Sequence, residues 1–200
     1  MRPQLFKNEN AFDKEFLQVM NETGCPISVL KGFVALESAF NPKAYRYEEH
    51  RKDASYGLAQ ILYQTAKGYG FTGKPEDLFD PYLSLKYGAL FLKDLAKKYN
   101  NPFDLIASYN MGYPRKITET TQFIANIYKY PITYKTNPPK DWVYANQPYV
   151  DRVASYMAFY QALEKNDINK AWDIYNLIKK KRLQDSRVKY TTDILELWKL

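Results

Sequence analysis

The segment VALESAFNP, residues 34–42, places an acidic residue, Glu37, directly after a run of apolar side chains. At about 100° per residue, Leu30, Phe33 and Val34 fall on nearly the same helix face as Glu37. A carboxylate near the end of an apolar stripe is unusual, and burial there raises its pKa toward neutrality. A general acid that works near pH 7 needs this property. Glu37 is therefore a candidate catalytic residue; the alternative is that it emerges from the core and pairs with a lysine.

Helical periodicity extends from this segment over most of the chain. The pattern predicts a helix over 10–22, and Pro26 opens the helix that carries Glu37 and runs to about residue 40. The polar, aperiodic stretch 42–56 predicts a loop. Further helices are predicted over 57–69, from 81 to the turn at 100–102, over 103–109, and over 149–165.

No stretch alternates as a strand does, and neither a repeat nor a low-complexity segment is present. Residues 115–128 fit a helix, whereas 131–148, with four prolines, predicts an extended excursion. We therefore expect a mainly α fold, with one domain over 1–165 and a helical extension over 166–200.

Composition limits the class of protein. With 200 residues, 46% of them hydrophobic, the chain is long enough for one packed domain. Its formal charge of +7 favours polyanionic partners such as nucleic acid, anionic membranes or bacterial wall. The 19 tyrosines suit stacking on sugars or bases, although most are expected to fill the core. The basic run at 179–182 predicts a solvated helix face.

Several kinds of chemistry are disfavoured. Cys25 is the only cysteine and His50 the only histidine, so no internal disulfide can form, and a zinc site or a thiol–imidazole pair is improbable. We expect no metal and no cofactor. The first residues lack the apolar core of a signal peptide, and no segment approaches a membrane span. The sequence thus predicts a soluble chain without an export signal, either delivered by another factor or shortened from a longer native chain.

Five segments, in order, resemble the soluble lytic transglycosylase family over roughly residues 26–164. They are ESAFNPKA at 37–44, SYGLAQI at 55–61, LFDP at 78–81, ASYNMG at 107–112 and YVDRV at 149–153. One such segment would be a weak signal, but five in the same order make a specific one.

The resemblance implies a lysozyme-like helical domain that cleaves the β-1,4 bond between N-acetylmuramic acid and N-acetylglucosamine. It also implies that Glu37 is the single catalytic acid/base. In that family the glutamic acid protonates the leaving oxygen while the N-acetyl group of muramic acid assists at the anomeric carbon. The resulting carboxylate then takes the proton of the C6 hydroxyl and closes a 1,6-anhydro ring. No water is consumed, so the reaction is that of a lyase.

The second segment supplies short polar groups. Ser55 and Gln60 are predicted to hold the Glu37 carboxyl or a sugar N-acetyl group, and Ser55 is equally suited to cap a following helix. Gly57 permits a close backbone approach, either to a sugar or to a packed helix.

The last two segments add three candidate contacts. The resemblance favours Tyr109 as a hydroxyl near the acid and the sugar, and Asn110 as a structural or substrate contact. At a helix end, both residues also fit simple C-capping. Tyr149 is predicted either to line the groove or to fill the core.

Two other functions remain open. Goose-type lysozymes, which are related hydrolases, carry aspartates in the loop that follows the catalytic helix, so Asp53 is the candidate second carboxylate for hydrolysis. Glu48 and Glu49 share that loop. A wall-binding or virion structural protein without catalysis is a second alternative. A DNA-binding helical protein fits the charge, but no recognition motif supports it.

The segment DASYGL, residues 53–58, most resembles bacteriophage members of the family. Such enzymes act as endolysins that pass from the host cytoplasm to the periplasm and wall, or as virion components. The expected partner is the peptidoglycan glycan strand, with neither nucleic acid nor stable membrane insertion. Residues 166–200 lie outside the resemblance and are predicted to pack on the domain, bind the wall or contact virion proteins.

Overall fold

The computed structural model describes residues 1–117 and 142–197. Most of this part of the chain is helical, as the sequence predicts. We number its helices α1 Asp13–Thr23, α2 Ile27–Glu37, α3 Tyr63–Gly68, α4 Pro81–Lys98, α5 Pro102–Met111, α6 Gln147–Glu164, α7 Ile168–Lys179, α8 Leu183–Lys189 and α9 Thr191–Glu196. Short 3-10 turns occupy Glu49–Arg51 and Pro75–Phe79.

Helix α2 lies at the centre of the core. Residues 28–35 are all buried, so this helix is covered on every side rather than along a single stripe. It packs mainly on α6, and Gly32 permits the close approach: a Cβ there would lie 2.4 Å from Cγ of Met157. Burying the whole helix fixes the position of its last residue, Glu37.

Helix α2 is shorter than the sequence predicts. It ends at Glu37 rather than near residue 40, because Ala39 and Phe40 adopt left-handed backbone with φ of 50° and 61°. Phe40 is nevertheless fully buried, so its ring belongs to the core although its backbone lies outside the helix. At the other end, Pro26 occupies the N-cap position instead of the first helical turn.

The predicted loop at 42–56 is wrong, since it contains two strands. An antiparallel sheet has the order β1 Tyr45–Glu48, β2 Asp53–Tyr56 and β3 Ile61–Leu62. Arg46 pairs with Ser55, and Ser55 pairs with Leu62. Three of the four residues of β1 are exposed, so this strand has no alternation of apolar and polar residues to reveal it.

The predicted helix at 57–69 is wrong over its first half. Residues 57–60 form a tight turn, in which Gly57 and Gln60 have φ of 68° and 47°. After β3 the chain enters α3 at Tyr63. Left-handed backbone at two positions is incompatible with a continuous helix.

Residues 118–141 lie outside the described part, and with them most of the helix predicted over 115–128 and of the excursion predicted over 131–148. On either side, Lys116 and Tyr144 form an antiparallel bridge. Helix α6 already begins at Gln147, so the last two residues assigned to the excursion are helical.

The predicted C-terminal extension is helical and packs on the domain. The buried side chains of α7, Tyr190 and α9 join the same hydrophobic core as α2 and α6; they are Ala171, Ile174, Tyr190 and Ile194. Nowhere in the described residues is a helix long and apolar enough to cross a bilayer.

Candidate active site

Glu37 is the last residue of α2, and its side chain is partly buried. Its Oε1 accepts a hydrogen bond of 2.5 Å from the hydroxyl of Tyr149 in the first turn of α6. Burial raises the pKa of Glu37 to about 7, and the Tyr149 hydrogen bond opposes that rise. A pKa in this range suits a carboxyl that must both give and accept a proton near neutral pH.

Two charged residues of β1 also act on Glu37. The positive charge of Arg46 lowers its pKa, and the negative charge of Glu48 raises it. These two side chains pair with each other. The role of Arg46 is not evident from the sequence, because the strand that carries it was predicted as a loop. The alternating residues Arg46 and Glu48 share one face of a strand, and this spacing was the available signal.

Tyr109 lies between α2 and α4. Its ring centroid is 4.6 Å from that of Phe33 and 5.1 Å from that of Phe91. The hydroxyl donates to the carbonyl of Ala59 at 2.8 Å. Burial, and then the negative charge of Glu37, raise the pKa of Tyr109 well above its usual value. Tyr109 thus remains a neutral hydroxyl near Glu37 and supports the 57–60 turn.

Side-chain hydrogen bonds and close packing from α4 hold the 57–60 turn in place. Ser84 accepts a hydrogen bond from the amide of Ala59 and donates to the carbonyl of Tyr56, at 3.1 and 3.3 Å. A Cβ on Gly57 would lie 2.7 Å from Oγ of Ser84, and one on Gly88 would lie 2.6 Å from Cβ of Ala59. Of the two interpretations of Gly57, the packed helix is the one observed. Ser84 is not evident from the sequence, since a serine within a helix carries no distinct signal.

Gln60 and Ser55 belong to this same unit. The amide nitrogen of Gln60 donates to the carbonyls of Ala44 at 2.9 Å and Gly57 at 3.1 Å, so it braces the turn against the start of β1. Ser55 is buried within β2. The interpretation of Ser55 as a helix cap is wrong, because the next helix begins only at Tyr63.

Asn110 joins the end of α5 to the start of α6. The side-chain nitrogen of Asn146 lies 3.4 Å from Oδ1 of Asn110 and donates to the carbonyl of Ala107 at 3.1 Å. The left-handed C-cap position is taken by Gly112, at φ 85°, rather than by Asn110. Asn110 therefore has a structural contact beside the helix that presents Tyr149. Asn146 falls in the stretch predicted as an extended excursion, 131–148, where nothing in the sequence marks it.

Both carboxylate oxygens of Asp53 accept hydrogen bonds from backbone amides. Its Oδ1 accepts from Ala54 at 2.7 Å, and its Oδ2 accepts from Gln64 at 3.0 Å, in the first turn of α3. This is the geometry of a helix-capping group rather than of a solvated loop charge. The second carboxylate that influences the pKa of Glu37 is Glu48.

The other reactive residues do not form a site. Cys25 is buried in the core, which raises the pKa of its thiol to about 12. His50 is exposed, with Nδ1 3.9 Å from a carboxylate oxygen of Glu48. Within residues 1–117 and 142–197, no cluster of three His, Cys, Asp or Glu side chains is suited to hold a metal ion.

The fold is that of the lytic transglycosylases. The chain is similar to the 70-kDa soluble lytic transglycosylase of Escherichia coli, with a TM-score of 0.53 and 22% identity over 78% of this chain and 25% of that one. It is equally similar to an inactive mutant of the lytic transglycosylase Slt from Pseudomonas aeruginosa, with a TM-score of 0.54 and 20% identity over the same shares. Residues 16–127 match the transglycosylase SLT domain, and the chain belongs to that family.

The sequence also resembles the membrane-bound lytic murein transglycosylase C of Glaesserella parasuis serovar 5. The two are 28% identical over an aligned length of 110 residues, and the match covers 48% of this chain and 29% of that protein. The chain thus corresponds to less than a third of the length of this relative, and to a quarter of the two solved structures.

Proposed function

We propose that this protein is a peptidoglycan lytic transglycosylase that cleaves the bond between N-acetylmuramic acid and N-acetylglucosamine. The observation that carries the proposal is the position of Glu37: a partly buried carboxyl with a pKa of about 7, held by the Tyr149 hydroxyl. Family membership and the names of the relatives, which are lytic transglycosylases, give the class of substrate.

One carboxyl is enough for this reaction if it changes protonation state within a turnover. The protonated Glu37 donates its proton to the glycosidic oxygen as the bond breaks, and the N-acetyl group of the substrate assists at the anomeric carbon. The Glu37 carboxylate then accepts the proton of the C6 hydroxyl, which attacks that carbon and closes the 1,6-anhydro ring. A pKa near the working pH suits a group that must perform both steps.

Mass spectrometry of products released from purified peptidoglycan tests the proposal. We expect 1,6-anhydro products from the wild type, each lighter by one water than a reducing sugar, and none from Glu37→Gln. Glu49→Gln is the matched control, since Glu49 is an exposed carboxylate on the neighbouring 3-10 turn. Undiminished cleavage by Glu37→Gln would show that another acid acts.

Hydrolysis by a muramidase with Asp53 as its second carboxylate is the alternative reaction. The backbone contacts of Asp53 favour a capping role, because a catalytic base must direct an oxygen to water. Asp53→Asn separates the two roles, since an amide oxygen still accepts from the Gln64 amide but cannot act as a base. Reducing-end products that disappear in Asp53→Asn would establish the muramidase.

A non-catalytic wall-binding or virion protein would keep the fold without turnover. The charge of +7 serves such binding equally well. Co-sedimentation with insoluble peptidoglycan measures binding separately from product release. Retained binding with no product from the wild type would favour this alternative.

The DASYGL segment further supports action within the bacteriophage setting, either as an endolysin or within a virion. In that setting the glycan strand is the substrate, and virion proteins are the candidate partners of residues 166–200. Expression in the cytoplasm of a host, with and without a co-expressed holin, tests the endolysin route: lysis is expected only with the holin.

A further inference from the structure

The C-terminal extension is connected to the first turn of α6 by a nearly buried ion pair. Arg187 of α8 bonds through Nε to Oδ1 of Asp151 on α6. The two side chains are 16% and 9% exposed. An ion pair so shielded from water is sensitive to the loss of either partner, since the remaining charge stays in a site with little access to water.

The carboxylate oxygen of Asp151 that bonds Arg187 also accepts a hydrogen bond from Gln147. The side-chain nitrogen of Gln147 donates to Oδ1 of Asp151 at 2.9 Å. The side-chain oxygen of Gln147 accepts from the amides of Val143 and Tyr144 at 3.0 and 3.1 Å. Gln147 thus ties the segment that enters α6 to the carboxylate that Arg187 neutralises.

Two further contacts hold α8 in place. The guanidinium of Arg187 lies 5.6 Å from the ring centroid of Phe103 in α5. The hydroxyl of Ser155, one turn after Asp151, lies 3.1 Å from the carbonyl of Leu183 at the start of α8. Arg187 is therefore fixed where α5, α6 and α8 meet.

Tyr149 lies between Gln147 and Asp151 along α6, and its hydroxyl is the donor to Glu37. Any tilt of this first turn moves that hydroxyl, and a hydrogen bond weakens steeply as its geometry is lost. Resting on the proposed function, we propose that Arg187 is a positioning residue for catalysis: through Asp151 and Gln147 it fixes the turn that presents Tyr149 to Glu37. The extension beyond residue 165 is then part of the catalytic unit, although the family match ends at residue 127.

The pKa of Glu37 reports this positioning directly. The groups that act on Glu37 come from two elements: Tyr149 of α6, and Arg46 and Glu48 of β1. The neutral Tyr109 of α5 responds to its charge. Because the Tyr149 hydrogen bond lowers the pKa of Glu37, its loss moves that pKa upward, and the alkaline limb of the pH–rate profile moves with it.

A double-mutant cycle between Arg187→Met and Tyr149→Phe in the full chain tests the proposal. Arg187→Met is expected to lower kcat roughly tenfold with little change in KM. The lost contact, the charge-assisted bond to Asp151, affects catalysis only through the position of Tyr149 at Glu37. In the Tyr149→Phe background, Arg187→Met is expected to have almost no further effect on kcat. Independent effects that multiply would overturn the proposal.

Three companion variants separate positioning from folding. Lys189→Met is the matched control, since it removes another cation of α8 that pairs with Asp173 at an exposed site. Arg187→Lys is expected to rescue part of the loss by keeping the charge. If Arg187→Met fails to fold, the double variant Arg187→Met with Asp151→Asn, which removes both charges of the ion pair, is measured in its place.

Carboxyl carbon NMR of Glu37 provides a readout that needs no turnover. Arg187→Met and Tyr149→Phe are both expected to raise the pKa of Glu37, whereas Lys189→Met leaves it unchanged. An unchanged pKa in Arg187→Met overturns the positioning role even if the enzyme is active. A raised pKa in a protein with no activity on peptidoglycan would instead refute the proposed function and retain the positioning role.

Discussion

The hydroxyl of Tyr149 and the carboxyl of Glu37 form a hydrogen bond between residues 112 positions apart in the chain. Helix α2 is buried on all sides and ends at Glu37, and helix α6 packs along it, so that its first turn presents Tyr149. The contact gives Glu37 a defined direction and limits the rise of its pKa. The direction and the pKa of the Glu37 carboxyl thus depend on two helices that pack together, not on one sequence segment.

Removal of this contact by Tyr149→Phe is expected to raise the pKa of Glu37 above about 7 and to lower kcat by roughly tenfold, since a hydrogen bond to a charged group is worth about 1.5–3 kcal/mol. The pH dependence of kcat, with carboxyl NMR, measures both. Tyr156→Phe on the same helix is the control, because its ring packs against Phe6. A lower pKa for Glu37 in Tyr149→Phe would refute this assignment.

The raised pKa of Glu37 also predicts how stability depends on pH. The folded protein holds this proton up to about pH 7, while an unfolded chain releases it near 4.5, so stability falls as the pH rises through this window. Because each pKa unit corresponds to about 1.4 kcal/mol, the ionised carboxylate lowers the free energy of unfolding by at most about 3.5 kcal/mol. Glu37→Gln is expected to stabilise the protein more at pH 8 than at pH 4.

Chemical denaturation of wild type and Glu37→Gln at both pH values measures this difference. Glu49→Gln, which removes an exposed carboxylate, again serves as the control. An equal effect of Glu37→Gln at pH 4 and pH 8 would show that Glu37 ionises in the folded protein as it does in the unfolded chain.

Gly57→Ala is expected to destabilise the protein and distort the turn beside the active site. The backbone at Gly57 is left-handed, and an added Cβ would lie 2.3 Å from the carbonyl oxygen of Leu78. Gly70→Ala is the matched control, because Gly70 is also left-handed but has nothing within 4 Å of such a Cβ. Left-handed backbone alone costs about 1–2 kcal/mol, and Gly57→Ala should exceed this value. Equal thermal unfolding temperatures for the two variants would contradict the packed position of Gly57.

Ser84→Ala is expected to lower the free energy of unfolding by about 2–3 kcal/mol and to reduce activity, because the amide of Ala59 and the carbonyl of Tyr56 lose their buried partner. Ser108→Ala is the control, since its buried hydroxyl donates to the carbonyl of Asp104 one turn earlier in the same helix. Denaturation and product release are measured on both. A Ser108→Ala variant that is less active and less stable than Ser84→Ala would contradict the importance of the two Ser84 hydrogen bonds for the 57–60 turn.

The sequence predicted the helices best where periodicity and end signals agreed. The predicted start of α4 at Pro81 is correct, and the Asp80 carboxylate accepts there from the amide of Leu83. The sheet escaped prediction for a physical reason. Strand β1 lies at the edge of the sheet, and its side chains are mostly exposed. Its sequence therefore has no alternation of apolar and polar residues that would reveal a strand paired with β2.

By itself, the sequence determined the helical class, the family, and the choice of Glu37 as the buried acid. These features follow from local spacing: an apolar run, a carboxylate at its end, and motifs in a fixed order. Only the tertiary structure decided that Tyr149 reaches Glu37, that Asp53 caps α3, and that Arg187 meets Asp151. Such contacts join residues distant in the chain, and packing of α2 against α6 and of α6 against α8 brings them together, which no spacing along the sequence encodes.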